Sequence, residues 1–210
     1  RNATRLRRLM PIKCVFFDFD GVLRSWDYEA NTMEEEYGFP HGGMWEVAFT
    51  PENVVPAIRG EITDEQWRSN VAQMLTEKFL DSDVSGAMDA WQKHYGVLVP
   101  EVLEIITECK AKVPIAMLSN ATSRLNYDLE KLGIADLFDF VFNASEIGSI
   151  KPEPDIYNHV LHVVGVKKSE AFFTDDIPEN VDAAVRLGWT GHLFQNADGL
   201  RTALVESGVL

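Results

Sequence analysis

The sequence predicts an α/β fold: a doubly wound, Rossmann-like parallel sheet with a small helical segment inserted after its first strand. Three observations point there. From about Val99 onward, short apolar runs alternate with helix-like stretches, as in a parallel sheet covered on both faces. Three of those stretches stop on one signal, a glycine followed by an apolar residue: Leu132-Gly133-Ile134, Val164-Gly165-Val166 and Leu187-Gly188-Trp189. A glycine there can take the left-handed conformation that ends a helix, and the apolar residue after it turns back to the core. The segment before Val99 has few strand-like runs and several helix starts.

In chain order, residues 12–17 form an apolar strand suited to burial on both sides. Residues 23–96 then read as the helical insertion. Within it, Thr50-Pro51-Glu52 places a capping hydroxyl before a proline at the first helical position. Thr63-Asp64-Glu65-Gln66 is a capping box with acids at the positive end of the helix. Trp67, Val71, Met74, Leu75 and Phe79 continue at helical spacing and read as a packing stripe. Strands follow at 114–118, 138–142, 171–174 and 190–194. Each but the last is followed by a helix, at 123–132, 154–164 and 178–187. The expected domains are a core of 10–22 with 97–210 and a helical cap of 23–96.

Composition narrows the function classes. The chain has 210 residues, 46% hydrophobic and 25% charged, which suits one soluble globular domain or one with an insertion. No long, weakly charged apolar run marks a membrane span. Residues 1–9 are basic, start with Arg and lack an apolar signal core, so they read as a processed or added end outside the fold. Thirty-three acids against 19 bases give a net charge of -14, a field that repels nucleic acid and anionic membranes. The same field repels phosphate esters, so a phosphate site must create its own local positive charge. Cys14 and Cys109 form no spacing motif, which suits a reducing, cytoplasmic setting.

Four segments carry candidate chemistry, each where a predicted strand ends. Asp18 and Asp20 stand two apart, so their side chains leave the strand on one side, a costly arrangement unless a cation holds it. Gly21 permits a tight turn and close backbone approach. Ser119-Asn120 offers a hydroxyl and backbone N–H groups to phosphate oxygens. Lys151-Pro152-Glu153-Pro154 holds a lysine on a proline-fixed loop, where it can neutralise a phosphoryl group and an attacking carboxylate. Asp175-Asp176 adds a second acidic pair. Taken singly, each has a plain alternative: a turn cap, a Ser-Asn turn, a surface lysine, a helix N-cap before Ile177-Pro178. Together they place two acid pairs, a hydroxyl and a lysine at one edge of one sheet, where open α/β sheets bind ligands. Metal-assisted phosphoryl transfer needs that combination.

The ordered set Asp18-Phe19-Asp20-Gly21-Val22, Leu118-Ser119-Asn120, Lys151-Pro152-Glu153-Pro154 and Phe172-Phe173-Thr174-Asp175-Asp176 resembles the haloacid dehalogenase superfamily from about residue 11 to 194. The insertion looks like that family's C1-type helical cap. Within the family the pattern is similar to phosphatases related to the N-terminal domain of soluble epoxide hydrolase and to bacterial sugar-phosphate phosphatases. The resemblance implies a hydrolase acting on a small organic phosphate monoester, a sugar phosphate among the candidates. It implies that Asp18 attacks phosphorus to form an aspartyl-phosphate, and that Asp20 protonates the leaving alcohol and then activates water. It implies Mg²⁺ bound by the Asp18 carboxylate, the Asp20 backbone carbonyl and the Asp176 carboxylate, with Asp175 behind them or exchanging roles with Asp176. Ser119, Lys151 and the Asn120 backbone would hold the phosphoryl group. Dehalogenases and phosphonatases lack the second acid, present here as Asp20, and nothing nominates Lys78 or Lys93 for Schiff-base chemistry. The competing readings are a phosphomutase, which keeps both acids, and a catalytically silent binding or regulatory protein.

Other residues carry weaker signals. His159 and His162 lie three apart on a predicted helix, without a further ligand, and read as packed or surface residues. His41-Gly42-Gly43 reads as a hinge or turn. Trp26, Tyr28, His41, Trp45 and Arg59 can shape a pocket for a sugar phosphate or another polar organic phosphate, or simply pack within the insertion.

Overall fold

The computed structural model describes residues 11–26 and 29–210, and side chains for 11–26 and 32–210. Residues 1–9 and Tyr28, which carried expectations above, lie outside the described residues. The strands are β1 (Cys14–Phe17), β2 (Arg24–Ser25), β3 (Val97–Leu98), β4 (Ile115–Ser119), β5 (Phe140–Asn143), β6 (Ala171–Asp175) and β7 (Thr190–Leu193). The helices are α1 (Glu29–Glu36), α2 (Gly43–Ala48), α3 (Pro51–Ile58), α4 (Asp64–Lys78), α5 (Val84–Lys93), α6 (Pro100–Lys110), α7 (Leu125–Lys131), α8 (Ala144–Ile147), α9 (Pro154–Val164), α10 (Pro178–Leu187) and α11 (Ala197–Glu206).

Five strands form a parallel sheet in the order β5-β4-β1-β6-β7. The central strand β1 is buried on both faces because alternate residues serve two cores. Val15 and Phe17 join Ile115, Met117, Ile105, Leu129 and Leu204 on one face. Cys14 and Phe16 join Leu118, Tyr157, Val160, Ala184 and Trp189 on the other. The sheet therefore carries helices on both sides, and the doubly wound expectation holds.

Sequence and structure agree closely where proline opens a helix and glycine closes it. Helices α9 and α10 span the expected 154–164 and 178–187, and Gly133, Gly165 and Gly188 all have positive φ. Helix α7 is shorter than the expected 123–132, because the Ser123 hydroxyl accepts from the Asp64 backbone N–H instead of capping its own helix. The last strand is followed by a helix after all: α11 starts where the Asn196 side chain accepts from Gly199 N, a turn-like Asn-Ala-Asp-Gly run that conceals an N-cap.

Helices α1 to α5 pack around a core of their own, with Met44, Trp67, Val71, Leu75 and Trp91 buried in it. The Thr63–Gln66 capping box forms as expected. The Thr50 hydroxyl does not cap α3 and donates to the Val47 carbonyl instead. Met74 leaves the packing stripe and is exposed. The His41-Gly42-Gly43 turn is pinned rather than loose: the buried Glu34 carboxylate accepts from Gly42, Met44 and Trp45 backbone N–H groups. Strands β2 and β3 pair antiparallel, joining the segment's entry to its exit. Among the described residues no helix is long and apolar enough to cross a membrane.

Candidate active site

The carboxyl ends of β1, β4 and β6 and the loop before α9 converge on one place. Lys151 is buried, with its Nζ 2.8 Å from Asp18 Oδ1 and 2.6 Å from Asp175 Oδ2. Asp18 Oδ1 also accepts from Phe19 N at 2.7 Å. Lys151 is fixed through its backbone as well: its N–H donates to Asn120 Oδ1 at 2.8 Å, and Asn120 Nδ2 donates to its carbonyl at 2.9 Å. The end of β4 thus holds the lysine loop in register, a use of the Asn120 side chain the sequence did not suggest. Ser119 is buried beside it at the end of β4.

Asp175 is wholly buried and fully engaged. It accepts from Lys151, from Ile177 N at 2.8 Å and from Asn180 Nδ2 at 3.1 Å on each oxygen. Asn180 in turn offers its carbonyl to the buried Tyr157 hydroxyl at 2.8 Å. Sequence reasoning passed over Asn180; its one signal was a polar residue in the first turn after Asp175-Asp176-Ile177-Pro178. Asp176 is exposed. The two adjacent acids are thereby separated: Asp175 holds the lysine, and Asp176 stays exposed.

Asp18, Asp175 and Asp176 each offer an oxygen within 4.8 Å of the others. Burial pushes Asp18 up to about 8, and Asp175 adds to the rise while Lys151 opposes it. Burial, then the charge of Asp175, also raises Asp176. Burial works to lower Lys151, but Asp18 and Asp175 outweigh it and hold the ammonium above its ordinary value. Carboxylates this crowded suit a hard divalent cation with oxygen ligands. The backbone leaves room for that use: Gly21 has φ +83, and a Cβ there would lie 2.1 Å from Asp176 Oδ2. Only glycine lets Asp176 approach this turn.

The Asp20 side chain does not belong to that cluster of three acids. Its carboxylate takes Arg24 Nε at 2.7 Å, Arg24 Nη2 at 2.9 Å and Trp26 Nε1 at 2.7 Å. Arg24 is buried, also reaches Asp128 Oδ2 at 2.9 Å, and lies 4.0 Å over the Phe19 ring. Asp20 opens on a cavity of about 440 Å³ between the sheet edge and helices α2 to α5. Trp26 and Trp45 line this cavity as expected, joined by Trp67, Trp91, Arg68 and Arg124, which the sequence did not nominate. Arg59 instead pairs with Glu153 across to the lysine loop. His41 is exposed and apart from the cavity. His159 and His162 are exposed on α9 and join no metal-binding group among the described residues. Cys14 and Cys109 are free and buried, their thiols pushed up to about 12 and about 11 by burial.

A Rossmann-like sheet that gathers carboxylates and a lysine beyond its strand ends defines a class of α/β enzyme. The chain belongs to the haloacid dehalogenase-like hydrolases, whose family model matches residues 12–188. It is 29% identical over 209 residues to flavin mononucleotide hydrolase 1 of Arabidopsis thaliana, covering 97% of this chain and 80% of that protein. It is 32% identical over 200 residues to sesquiterpene phosphatase astK of Aspergillus oryzae, covering 91% of this chain and 93% of that protein. Of some other relatives it spans far less, 17% in one case and 38% in another. A HAD family enzyme from Bacteroides thetaiotaomicron, solved with magnesium and inorganic phosphate, shares the fold at a TM-score of 0.70 and 22% identity, over 88% of this chain and 94% of that one.

Proposed function

We propose that this hydrolase is a magnesium-dependent phosphatase that cleaves a small organic phosphate monoester through an aspartyl-phosphate on Asp18. The observation that carries the reading is Lys151 held between Asp18 and Asp175, with Asp176 completing an acidic cluster. Phosphatases among the relatives, such as the sesquiterpene phosphatase, support it. Bonds from Phe19 N–H and Lys151 to Oδ1 orient the Asp18 carboxylate, leaving its other oxygen to attack phosphorus. The Asp18–phosphorus bond forms as the bond to the leaving oxygen breaks, and Asp20 delivers a proton to that oxygen. Asp20 then takes a proton from water, which attacks phosphorus and frees Asp18 and phosphate. Ser119, the Asn120 backbone and Lys151 hold the phosphoryl oxygens. The Asp18 and Asp176 carboxylates and the Asp20 carbonyl would hold Mg²⁺, which would supply charge neutralisation.

In this reading residues 23–96 act as a cap over the site. Its contacts support the role. Asp64 accepts from Thr122 Oγ1 at 2.7 Å and donates its backbone N–H to Ser123 Oγ at 2.9 Å, so the cap grips the loop that follows Ser119-Asn120. Gly60, with φ +74, abuts the sheet domain so tightly that a Cβ would lie 2.0 Å from the Ser145 carbonyl oxygen. Gly60→Ala is therefore expected to hold the cap off and lower kcat/KM by about tenfold or more, at a stability cost of about 1–2 kcal/mol. Steady-state kinetics beside thermal melts check this; an unchanged kcat/KM would remove the contact from closure. The two free, buried thiols suit a reducing compartment such as the cytoplasm.

The deciding experiment measures free phosphate released from aryl and metabolite phosphate esters. Release is expected with Mg²⁺ and abolished by excess chelator, then restored by adding Mg²⁺ back. No release from any ester with Mg²⁺ present would overturn the phosphatase reading; full release in chelator would overturn the metal site.

A further inference from the structure

We propose that the cavity beside Asp20 receives the leaving group of the substrate as a flat, largely apolar alcohol bearing an oxygen acceptor at its far end, which Arg68 recognises. The inference rests on the phosphatase reading and narrows it.

The cavity begins at Asp20, the group that would protonate the leaving oxygen, so what fills it is the alcohol rather than the phosphate. Its volume of about 440 Å³ falls within the roughly 300–1,000 Å³ of sites that bury drug-sized ligands. Four of the chain's five tryptophans stand in its walls: Trp26, Trp45, Trp67 and Trp91. Three of the rings meet edge to face rather than stacking on one another. Trp45 and Trp91 lie 5.3 Å apart at 85°, Trp67 and Trp91 5.1 Å apart at 77°. Such an array keeps some ring faces open to a ligand and suits a planar or apolar body.

The charged groups of the walls are paired with one another. Arg24 satisfies Asp20 and Asp128, Arg124 Nε binds Asp128 at 2.7 Å, and Asp64 takes Thr122 and Arg68 Nε. A polyol would surrender its hydration to walls with few partners to return, and each unmatched hydroxyl would weaken binding. Among the described residues, one buried donor of these walls is left over. Arg68 Nη1 is buried without a hydrogen-bond partner, on a guanidinium held 4.0 Å over the Trp91 ring. A rigid, unmet charged donor in an aromatic wall calls for a carbonyl or carboxylate oxygen. Arg68 also borders a second hollow of about 580 Å³, so the test must show which of the two it serves.

The test compares 4-methylumbelliferyl phosphate, flat with a distal lactone carbonyl, with 2-naphthyl phosphate, flat without one, and glycerol 1-phosphate. Intrinsic reactivities cancel when the ratio of kcat/KM for the two aryl esters is compared between proteins. In Arg68→Met and in Arg68→Lys that ratio is expected to fall roughly tenfold, the worth of one charged hydrogen bond. The lysine variant keeps a cation beside Asp64 and decides the matter if the methionine variant fails to fold. Free 4-methylumbelliferone should quench tryptophan emission in the parent and do so at least several-fold more weakly in Arg68→Lys. An unchanged ratio in the variant that folds, or glycerol 1-phosphate cleaved as efficiently as the naphthyl ester, would overturn the inference. Quenching without hydrolysis of any ester would keep the cavity assignment and remove the phosphatase reading; hydrolysis without quenching would do the reverse.

Discussion

Asp18→Asn is expected to lose phosphate release by at least about a thousandfold, because the carboxylate that would carry the phosphoryl group is gone. The fold is expected to survive, since Lys151 keeps Asp175 as a partner. The substitution should also stabilise the metal-free protein, and the sign can be worked out. Burial raises Asp18 to about 8, far above its unfolded value, so between the two the folded chain holds a proton the unfolded chain has released. Stability of the metal-free parent therefore falls as pH rises through that window. Asn carries no such proton. In chelator, the melting temperature of Asp18→Asn relative to the parent should rise between about pH 5 and about pH 8. Initial rates on an aryl phosphate and melts at both pH values check it; parental turnover would remove Asp18 as nucleophile.

Lys151→Met is the second large effect. It leaves Asp18 and Asp175 buried and facing each other with no cation between them. Removing one partner of a buried pair costs about 3–5 kcal/mol. Asp175 retains Ile177 N and Asn180, so the loss should stop short of unfolding the sheet. Turnover should fall with it, since among the described residues no other lysine is held at this point. Adding Mg²⁺ should recover part of the stability and little of the activity. Urea melts with and without Mg²⁺, beside rate measurements, separate these. A melt unchanged from the parent would mean that Lys151 is not the counter-charge of the site.

Much of this arrangement was legible because its signals are local. Asp18-Phe19-Asp20-Gly21, Lys151-Pro152 and Asp175-Asp176 each announce a strand end within a few residues, and a parallel sheet brings such ends to one edge. Helices α9 and α10 were legible for the same reason, their stops and starts being written in Pro and Gly. What stayed hidden depends on pairings between distant segments. Ser123 looks like a helix cap until Asp64, some sixty residues earlier, claims its hydroxyl. Trp67 reads as packing from helical spacing, and it does pack, yet the same ring faces a cavity closed by Trp26, Trp91 and Arg124. No periodicity within α4 could reveal that second face. Asn180 and Arg68 were silent because their roles exist only through Asp175 in one case and Trp91 in the other.

The pairing of Arg24–Ser25 with Val97–Leu98 has a consequence beyond this one molecule. The chain leaves the neighbourhood of the sheet and returns to it through two strands lying side by side, so everything between is joined covalently at a single place. Insertions joined in this way can be lengthened, shortened or exchanged with little disturbance to the host. The register of β1 with β4 and β6, on which the position of Asp18 depends, does not pass through the helices. The helical segment can therefore be remodelled without disturbing that register, and a protein engineer can graft a foreign helical segment at the same junction.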